Sequence, residues 1–416
     1  MPVAQTSTPL LPFYSARIKD ELCVAMVGKR VSELRTPSLV INTSIMKRNC
    51  DALAAITDKF NVKVRVHVKT HKTIEGAELQ LKGAKTSAIV CSTMAEAQAF
   101  CHSRLVSENI LKEVLLGFPI TPDKFSDVFV LASKVEKFQI FLDRLETLDA
   151  LEKYHAEHIL DNSKKIYAFI KVDANYHRAG VPLDTHYSQS LDLAKRLAAS
   201  SCIELQGLYC HAGHSYNART PDEALRYLQE ECMMARAFQT MFRDEAGVDI
   251  PFVSIGATPT VLAILATNDS SKVAAALEGI AEVHAGAYTL LDRQQVATGL
   301  VRYADVAVRV ACRVASVYPD RNTALIDGGA LAFSKDSAPQ GGFGAVVSNE
   351  KQIVLLKKVS QEHGILDTCE NLSIGQVLQL VPNHCCLACA SHLFYLIVEN
   401  DQDDTVVDVW VPVRGW

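Results

Sequence analysis

Lys63, Arg65, His67 and Lys69 alternate with Val62, Val64, Val66 and Val68. A period of two puts the two sets on opposite faces of a strand, one basic and one apolar. A basic face enclosed in a domain is costly unless its charges meet partners. A lysine at the end of such a strand, held among other cations, is pushed toward its neutral form. A neutral amine is a nucleophile and forms a Schiff base with an aldehyde. Lys69 is therefore the first candidate for covalent chemistry. His67 and His71 flank it; that spacing ligates metal on a helix, whereas this segment reads as strand.

Other segments carry chemistry of different kinds. Ser254-Ile-Gly-Ala-Thr-Pro-Thr260 follows an apolar run and opens a helix. Backbone N–H groups at a helix start, with Gly256 permitting close approach, suit a phosphate. An ordinary N-cap with Pro259 in the first turn accounts for the same residues. His284-Ala-Gly-Ala-Tyr288 is a second small-residue turn, able to add donors to the same anion. Lys171-Val-Asp-Ala-Asn-Tyr-His-Arg178 ends another run with a lysine, an aspartate and an arginine; an anion site and a structural ion pair are both open. Tyr209 and His211 alternate onto one face, where a core histidine is the plainer reading. His384 and Cys386 lie two apart on a segment read as extended, so they project to one side. Imidazole plus thiolate suits Zn²⁺, and two protein ligands leave positions open for catalysis. Cys386, Cys389 and His392 form a rival structural site, and inert buried thiols are a third reading.

These residues need elements to position them. Strand-like runs fall at 63–69, 87–92, 113–117, 138–142, 166–172, 206–211, 252–255 and 280–284, with amphipathic stretches such as 45–59, 94–104, 184–199 and 221–244 between them. Strands alternating with helices imply parallel pairing, and eight such units suggest an α/β fold, a closed (β/α)₈ barrel. A doubly wound open sheet is the alternative. Barrel chemistry sits at the C-terminal ends of strands. Lys69, Asp173, His211, Gly256 and Gly286 fall there, on five different strands. After residue 300 the pattern becomes β-rich with short turns, at 301–317, 322–327, 352–359, 376–381, 394–398 and 406–413. That predicts a C-terminal antiparallel β domain. The expected division is 36–300 for the barrel and 1–35 plus 301–416 for the β domain, which carries the His384/Cys386 pair.

Composition narrows the partners. A net charge of −5 argues against nucleic acid. No apolar run approaches the ~20 residues of a membrane helix. Residues 1–13 lack the basic start of a secretory signal. Twelve irregularly spaced cysteines in 416 residues read as reduced thiols of a cytoplasmic protein rather than a disulfide scaffold.

Together, Val66-His-Val-Lys-Thr-His-Lys72, Lys171-Val-Asp173, Tyr209-Cys-His-Ala-Gly-His-Ser-Tyr216, Gly256-Ala-Thr-Pro-Thr260, Gln294-Gln-Val-Ala-Thr-Gly299, Val359-Ser-Gln-Glu-His-Gly364 and Pro382-Asn-His-Cys-Cys386 resemble the eukaryotic D-serine dehydratases (D-serine ammonia-lyases). These are alanine-racemase-like, fold-type III pyridoxal-phosphate enzymes related to the D-threonine aldolases. The resemblance runs from Thr36 to Trp416. It implies a homodimeric lyase that converts D-serine to pyruvate and ammonia with pyridoxal 5′-phosphate and Zn²⁺, and acts more weakly on D-threonine. It implies Lys69 as the Schiff-base lysine and base, and Arg178 beside the cofactor phenolic oxygen. Tyr209, Tyr216, Thr258, Gly286 and Ala287 match cofactor-binding positions, with the phosphate near Thr258 and Gly286. His384 and Cys386 match the zinc pair. The related aldolases are expected to carry Asp where Cys386 stands, which favours the dehydratase. Cys385 is an extra thiol beside the pair, and Asn175 and Tyr176 occupy a turn where relatives often have glycine. A D-threonine aldolase and a non-enzymatic carrier of the cofactor are the alternatives.

Overall fold

A computed structural model describes residues 16–159, 165–183, 187–349, 352–400 and 403–416. The first strand, β1 (Ser38–Asn42), belongs to the second sheet described below. The next eight close a parallel barrel in chain order. They are β2 (Lys63–His67), β3 (Ala88–Cys91), β4 (Glu113–Pro119), β5 (Lys137–Leu142), β6 (Ile166–Lys171), β7 (Ile203–Tyr209), β8 (Val253–Ile255) and β9 (Glu282–Ala285). All eight expected strands are present, and the open-sheet alternative is excluded.

Two strands, β2 and β7, differ from their expected bounds where it bears on the site. β2 stops at His67, because Val68–Thr70 tightens into one 3₁₀ turn. The Lys69 N–H points back at His67 Nδ1 (3.4 Å), and the Lys72 N–H bonds Val68 O at 2.9 Å. Lys69 thus rides on the turn above the strand. β7 runs from residue 203 instead of 206 and ends two residues early, at Tyr209.

The crossover helices begin where short side chains can cap them. Thr73, Thr93 and Thr220 each accept from the N–H three residues on. Pro221 opens the long helix Pro221–Ala246, and Gly247 closes it at φ +67°. The expected helix 184–199 begins in residues outside the described set, and Tyr187–Ala198 is helical.

Inside the barrel, side chains sort into layers. Val90, Leu115, Phe141, Phe169 and Tyr209 form an apolar cluster of their own. Arg65 is fully buried among polar partners. Its Nε lies 2.8 Å from Glu282 Oε1, one Nη lies 2.9 Å from Glu113 Oε2, and the other donates to Gln139 Oε1 at 2.7 Å. The charge that alternation put on the inner face therefore finds its counter-charges on β4 and β9.

The second sheet holds β1 with β10 (Val308–Tyr318), β11 (Thr323–Ile326), β12 (Gly344–Asn349), β13 (Gln352–Val359), β14 (Gly364–Leu366), β15 (Val377–Pro382), β16 (Tyr395–Val398) and β17 (Asp408–Trp410). Among the described residues its order is β11-β14-β13-β12-β15-β10-β1-β16-β17. β12 and β14 were not expected; each is a short strand that begins at a glycine. Ser38–Asn42 was expected on the barrel side of residue 36. It pairs instead antiparallel with β10 and parallel with β16, buried along its whole length. Asn42 then caps the first barrel helix, Oδ1 accepting from Ile45 N at 3.1 Å. Residues 1–15 of the expected N-terminal packing segment lie outside the described set. The helix Ala16–Met26 reaches the sheet through Lys19, 3.3 Å from Asp408.

Removing one partner of a buried ion pair leaves an uncompensated charge. Glu282→Leu should therefore lower unfolding free energy by about 3–5 kcal/mol, measured by urea titration with circular dichroism. A loss below about 1 kcal/mol would mean that Arg65 does not depend on Glu282.

Candidate active site

The barrel mouth holds a cavity of about 390 Å³, lined by Lys69, Arg178, Tyr209, Tyr216, Thr258, Gly286 and Ala287, among others. An outer vestibule of about 570 Å³ shares Lys69, Arg178, His211 and Tyr216 with it and adds Asp336, His384 and Cys386. The residues matched to cofactor and zinc positions therefore each line one or both spaces, whereas Asp173, His71, Cys389 and His392 line neither. Lys69, half-buried, stands between them.

Two glycines bring the strand ends together. A Cβ on Gly286 would lie 2.8 Å from His67 O, and one on Gly256 would lie 2.3 Å from His284 O. Gly256 also sits at φ +146°, so no other residue fits there. Its N–H is not free for a ligand as expected: it donates to Glu231 Oε1 at 3.1 Å. The Ala257 N–H donates to Thr260 Oγ1 at 2.9 Å. Thr258, the first residue of the helix Thr258–Ala266, remains on the cavity wall beside Tyr216.

Charge in the inner cavity is one-sided. Lys69, Lys171 and Arg178 line it, and among the described residues no carboxylate does. Lys171 Nζ lies 3.3 Å from Val172 O and over the Tyr209 and Phe141 rings, 5.3 and 6.0 Å from their centroids. Burial lowers the Lys171 amine, helped by nearby Arg178. Burial also holds His67 and His211 well below the usual histidine range, with Lys69 adding to it. His211 Nδ1 lies 2.7 Å from Gly256 O, so that nitrogen carries the proton. Burial raises both Tyr209 and Tyr216, which stay neutral phenols. A cation-lined cavity with a helix start and neutral donors fits a phosphate-bearing aromatic aldehyde.

His384 and Cys386 meet at the other wall. The segment is not extended: His384 caps the helix Cys385–Ser391, so Cys386 lies in its first turn. The two side chains nonetheless line the same vestibule wall, and each shifts the titration of the other. A hydrogen bond from Cys385 leads the causes that hold the Cys386 thiol well below its ordinary range, against burial, with His384 and Lys69 adding to it. Burial alone would lower His384; the Cys386 thiolate and the Asp292 and Asp336 carboxylates lift it to about 10. His384 Nδ1 lies 2.7 Å from Asp336 Oδ2, the carboxylate support usual for a metal-bound imidazole. Thr70 Oγ1 lies 3.2 Å from Cys386 Sγ, which ties the helix to the Lys69 turn. Among the described residues no three metal-binding side chains converge, so a closed structural site is absent. The rival set fails accordingly: Cys389 is buried and His392 Nε2 bonds Ala332 O at 3.2 Å. His71 is occupied by Thr73 and Gln80. Asp173 serves its own loop, accepting the Tyr176 and His177 N–H groups.

The sequence reading missed Asp336 and Glu231. Asp336 lies 48 residues from His384 on a loop without a local signal. Glu231 left one: it interrupts the buried stripe Leu228, Cys232, Ala235 and Phe238. It gathers the loops after β7 and β8, accepting from Ala212 N at 2.8 Å and from Gly256 N.

Two family models match the chain: an alanine racemase N-terminal domain over residues 41–277 and a putative serine dehydratase domain over residues 307–398. The D-serine dehydratase of Schizosaccharomyces pombe is 34% identical, over 97% of this chain and 97% of its own length. That of Saccharomyces cerevisiae is 31% identical, over 94% and 98%. The solved D-threo-3-hydroxyaspartate dehydratase from Delftia sp. HT23 superposes with a TM-score of 0.80 at 26% identity, over 93% of this chain and all of that one.

Burial raises the Glu231 carboxyl from 4.5 to about 7. Between those values the folded state holds a proton that the unfolded chain has lost, so stability falls as pH rises through that window. Glu231→Gln cannot titrate. From pH 4.5 to 7.5 the unfolding free energy of the native chain should fall by ~3 kcal/mol relative to this variant. A constant difference across that range would refute the assignment.

Proposed function

The chain belongs to the D-serine dehydratase family, and from that premise we propose that it converts D-serine to pyruvate and ammonia using pyridoxal 5′-phosphate and Zn²⁺. The observation that carries the reading is Lys69, standing between a cation-lined inner cavity and the His384/Cys386 pair. In this reading Lys69 holds the cofactor covalently. Thr258, Gly286 and Ala287 take its phosphate, Arg178 faces its phenolic oxygen, and Tyr209 and Tyr216 line its ring. His384 and Cys386 hold the metal, with Asp336 orienting the imidazole.

When bound, the cofactor supplies an aldehyde and a π-system that spreads negative charge, and the zinc ion supplies a Lewis acid. The chain supplies the proton movements. Lys69 Nζ, released by the incoming amine, takes the Cα proton. The β-hydroxyl, a poor leaving group in water, departs on the side of the cavity where His384 and Cys386 lie. His67 and His211, held neutral, do not compete with Lys69 for charge.

Cys386, where related aldolases are expected to carry Asp, favours dehydration over carbon–carbon cleavage. A role as a cofactor carrier would leave the His384/Cys386 pair and its Asp336 support without use. We propose a homodimer, supported by the exposed Leu331 and Leu393, which share one surface cleft, and by exposed Leu387 nearby on the helix Cys385–Ser391. The twelve cysteines are unpaired, in keeping with a reducing cytoplasm. No described helix is long and apolar enough to cross a membrane.

The purified chain should release pyruvate from D-serine, not from L-serine, and lose that activity to a chelator. Faster glycine release from D-threonine than pyruvate release from D-serine would move the assignment to the aldolase. Lys69→Ala should abolish the visible imine absorbance and lower turnover about 10²–10⁴-fold. Cys386→Ala should lose bound zinc and most turnover while keeping that absorbance. Unchanged turnover in metal-free Cys386→Ala would remove the metal from the reaction.

A further inference from the structure

His284 lies on the inner face of β9 and lines the inner cavity, 2% exposed. In the barrel register it stands level with Arg65, four residues below Lys69 along the neighbouring chain. Its ring stacks on Tyr209, centroids 3.9 Å apart and planes within 13°. The proposed reaction does not use it.

Its protonation pattern follows from its neighbours. Nδ1 lies 3.0 Å from Ser254 Oγ. Ser254 has one hydroxyl proton and gives it to Glu282 Oε1 at 2.7 Å. That oxygen in turn faces Arg65 Nε at 2.8 Å. Ser254 can then only accept from the ring, so Nδ1 carries the ring hydrogen and Nε2 presents a bare lone pair. Nε2 is buried and has no hydrogen-bond partner among the described residues. Burial, with His211, Lys171, His67 and Arg65 nearby, holds the imidazole well below the usual histidine range, so the lone pair stays available. A buried acceptor without a partner is expensive unless a ligand meets it.

We propose that His284 Nε2 accepts a hydrogen bond from the ring N–H of the bound cofactor, so that the chain selects a ring-protonated aromatic heterocycle. This rests on reading the inner cavity as the site of pyridoxal phosphate. The chain Arg65–Glu282–Ser254–His284 makes the imidazole a stronger acceptor, because each link polarises the next. A ligand offering a ring lone pair instead would face lone pair against lone pair. His284 is on this view a binding residue for the cofactor, and Ser254 positions it.

The test compares pyridoxal phosphate with its 1-deaza analogue, in which C–H replaces the ring nitrogen. Both keep the aldehyde, phenol and phosphate. Each is titrated into the full chain stripped of cofactor, and dissociation constants are read by absorbance and fluorescence. The unaltered chain should prefer pyridoxal phosphate about tenfold. His284→Phe, which keeps the stack on Tyr209 but has no acceptor, should bind the two within about twofold. Ser254→Ala, which leaves the imidazole in place but frees its tautomer, should retain an intermediate preference. A structural role alone would weaken both ligands equally and leave the ratio unchanged. Persistence of the full preference in His284→Phe, or its loss in Tyr209→Phe instead, would overturn the proposal. Failure of the unaltered chain to bind either ligand would sink the cofactor reading itself, and this inference with it.

Discussion

The Arg65–Glu282 pair is the contact on which the site stands. Eight parallel strands closing into a barrel force alternate residues inward, and β2 brings a guanidinium with it. A buried guanidinium demands a carboxylate at hydrogen-bond distance. Glu282 meets it from β9, and Glu113 and Gln139 from β4 and β5. Glu282 is also shared with Ser254, which bonds His284. One ion pair thus sets the floor of the cavity and orients a side chain in its wall. The same pattern that makes β2 awkward to bury makes the barrel interior polar where a ligand must be read.

The second sheet is fastened to that barrel at the catalytic end. Asp292, just past the Gly286 turn, caps its own helix and accepts the Cys385 N–H at 2.8 Å. Arg293, next to it, donates to Asn383 Oδ1 at 2.6 Å. Thr70 meets Cys386 from the Lys69 turn. These three contacts, on Asn383, Cys385 and Cys386, fix His384 and Cys386 against the mouth. β1 completes the join, since it is an interior strand of the second sheet, between β10 and β16, and runs directly into the first barrel helix. The two folding units are therefore interlaced.

The barrel was legible because its strands are short apolar runs spaced by amphipathic helices, a signal carried by local periodicity. The strand-end rule then grouped Lys69, His211, Gly256 and Gly286 correctly. Other features were invisible for physical reasons. β1 is buried throughout with an apolar middle, Leu39-Val-Ile41, as a barrel strand would be, and only its partners β10 and β16 tell it from one. Gly256 was read as room for a phosphate; its glycine is required by the His284 carbonyl packed against it. Asp336 reaches His384 through tertiary folding alone. Glu231 could have been noticed as a carboxylate on a buried helix stripe, although nothing in the helix says which loops it holds.

Segregation of charge explains why one mouth can serve two kinds of ligand. The inner cavity has three cations, neutral imidazoles and neutral phenols. Placed there, a metal cation would be repelled and an anionic phosphate attracted. The outer vestibule shares Lys69 and Arg178 and adds Arg219, but it also brings Asp336 and the Cys386 thiolate, the carboxylate and soft donor that the inner cavity lacks. Lys69 lies at the boundary between the two fields. An amino acid entering from the vestibule meets the soft-donor wall on one side and the cationic cavity on the other.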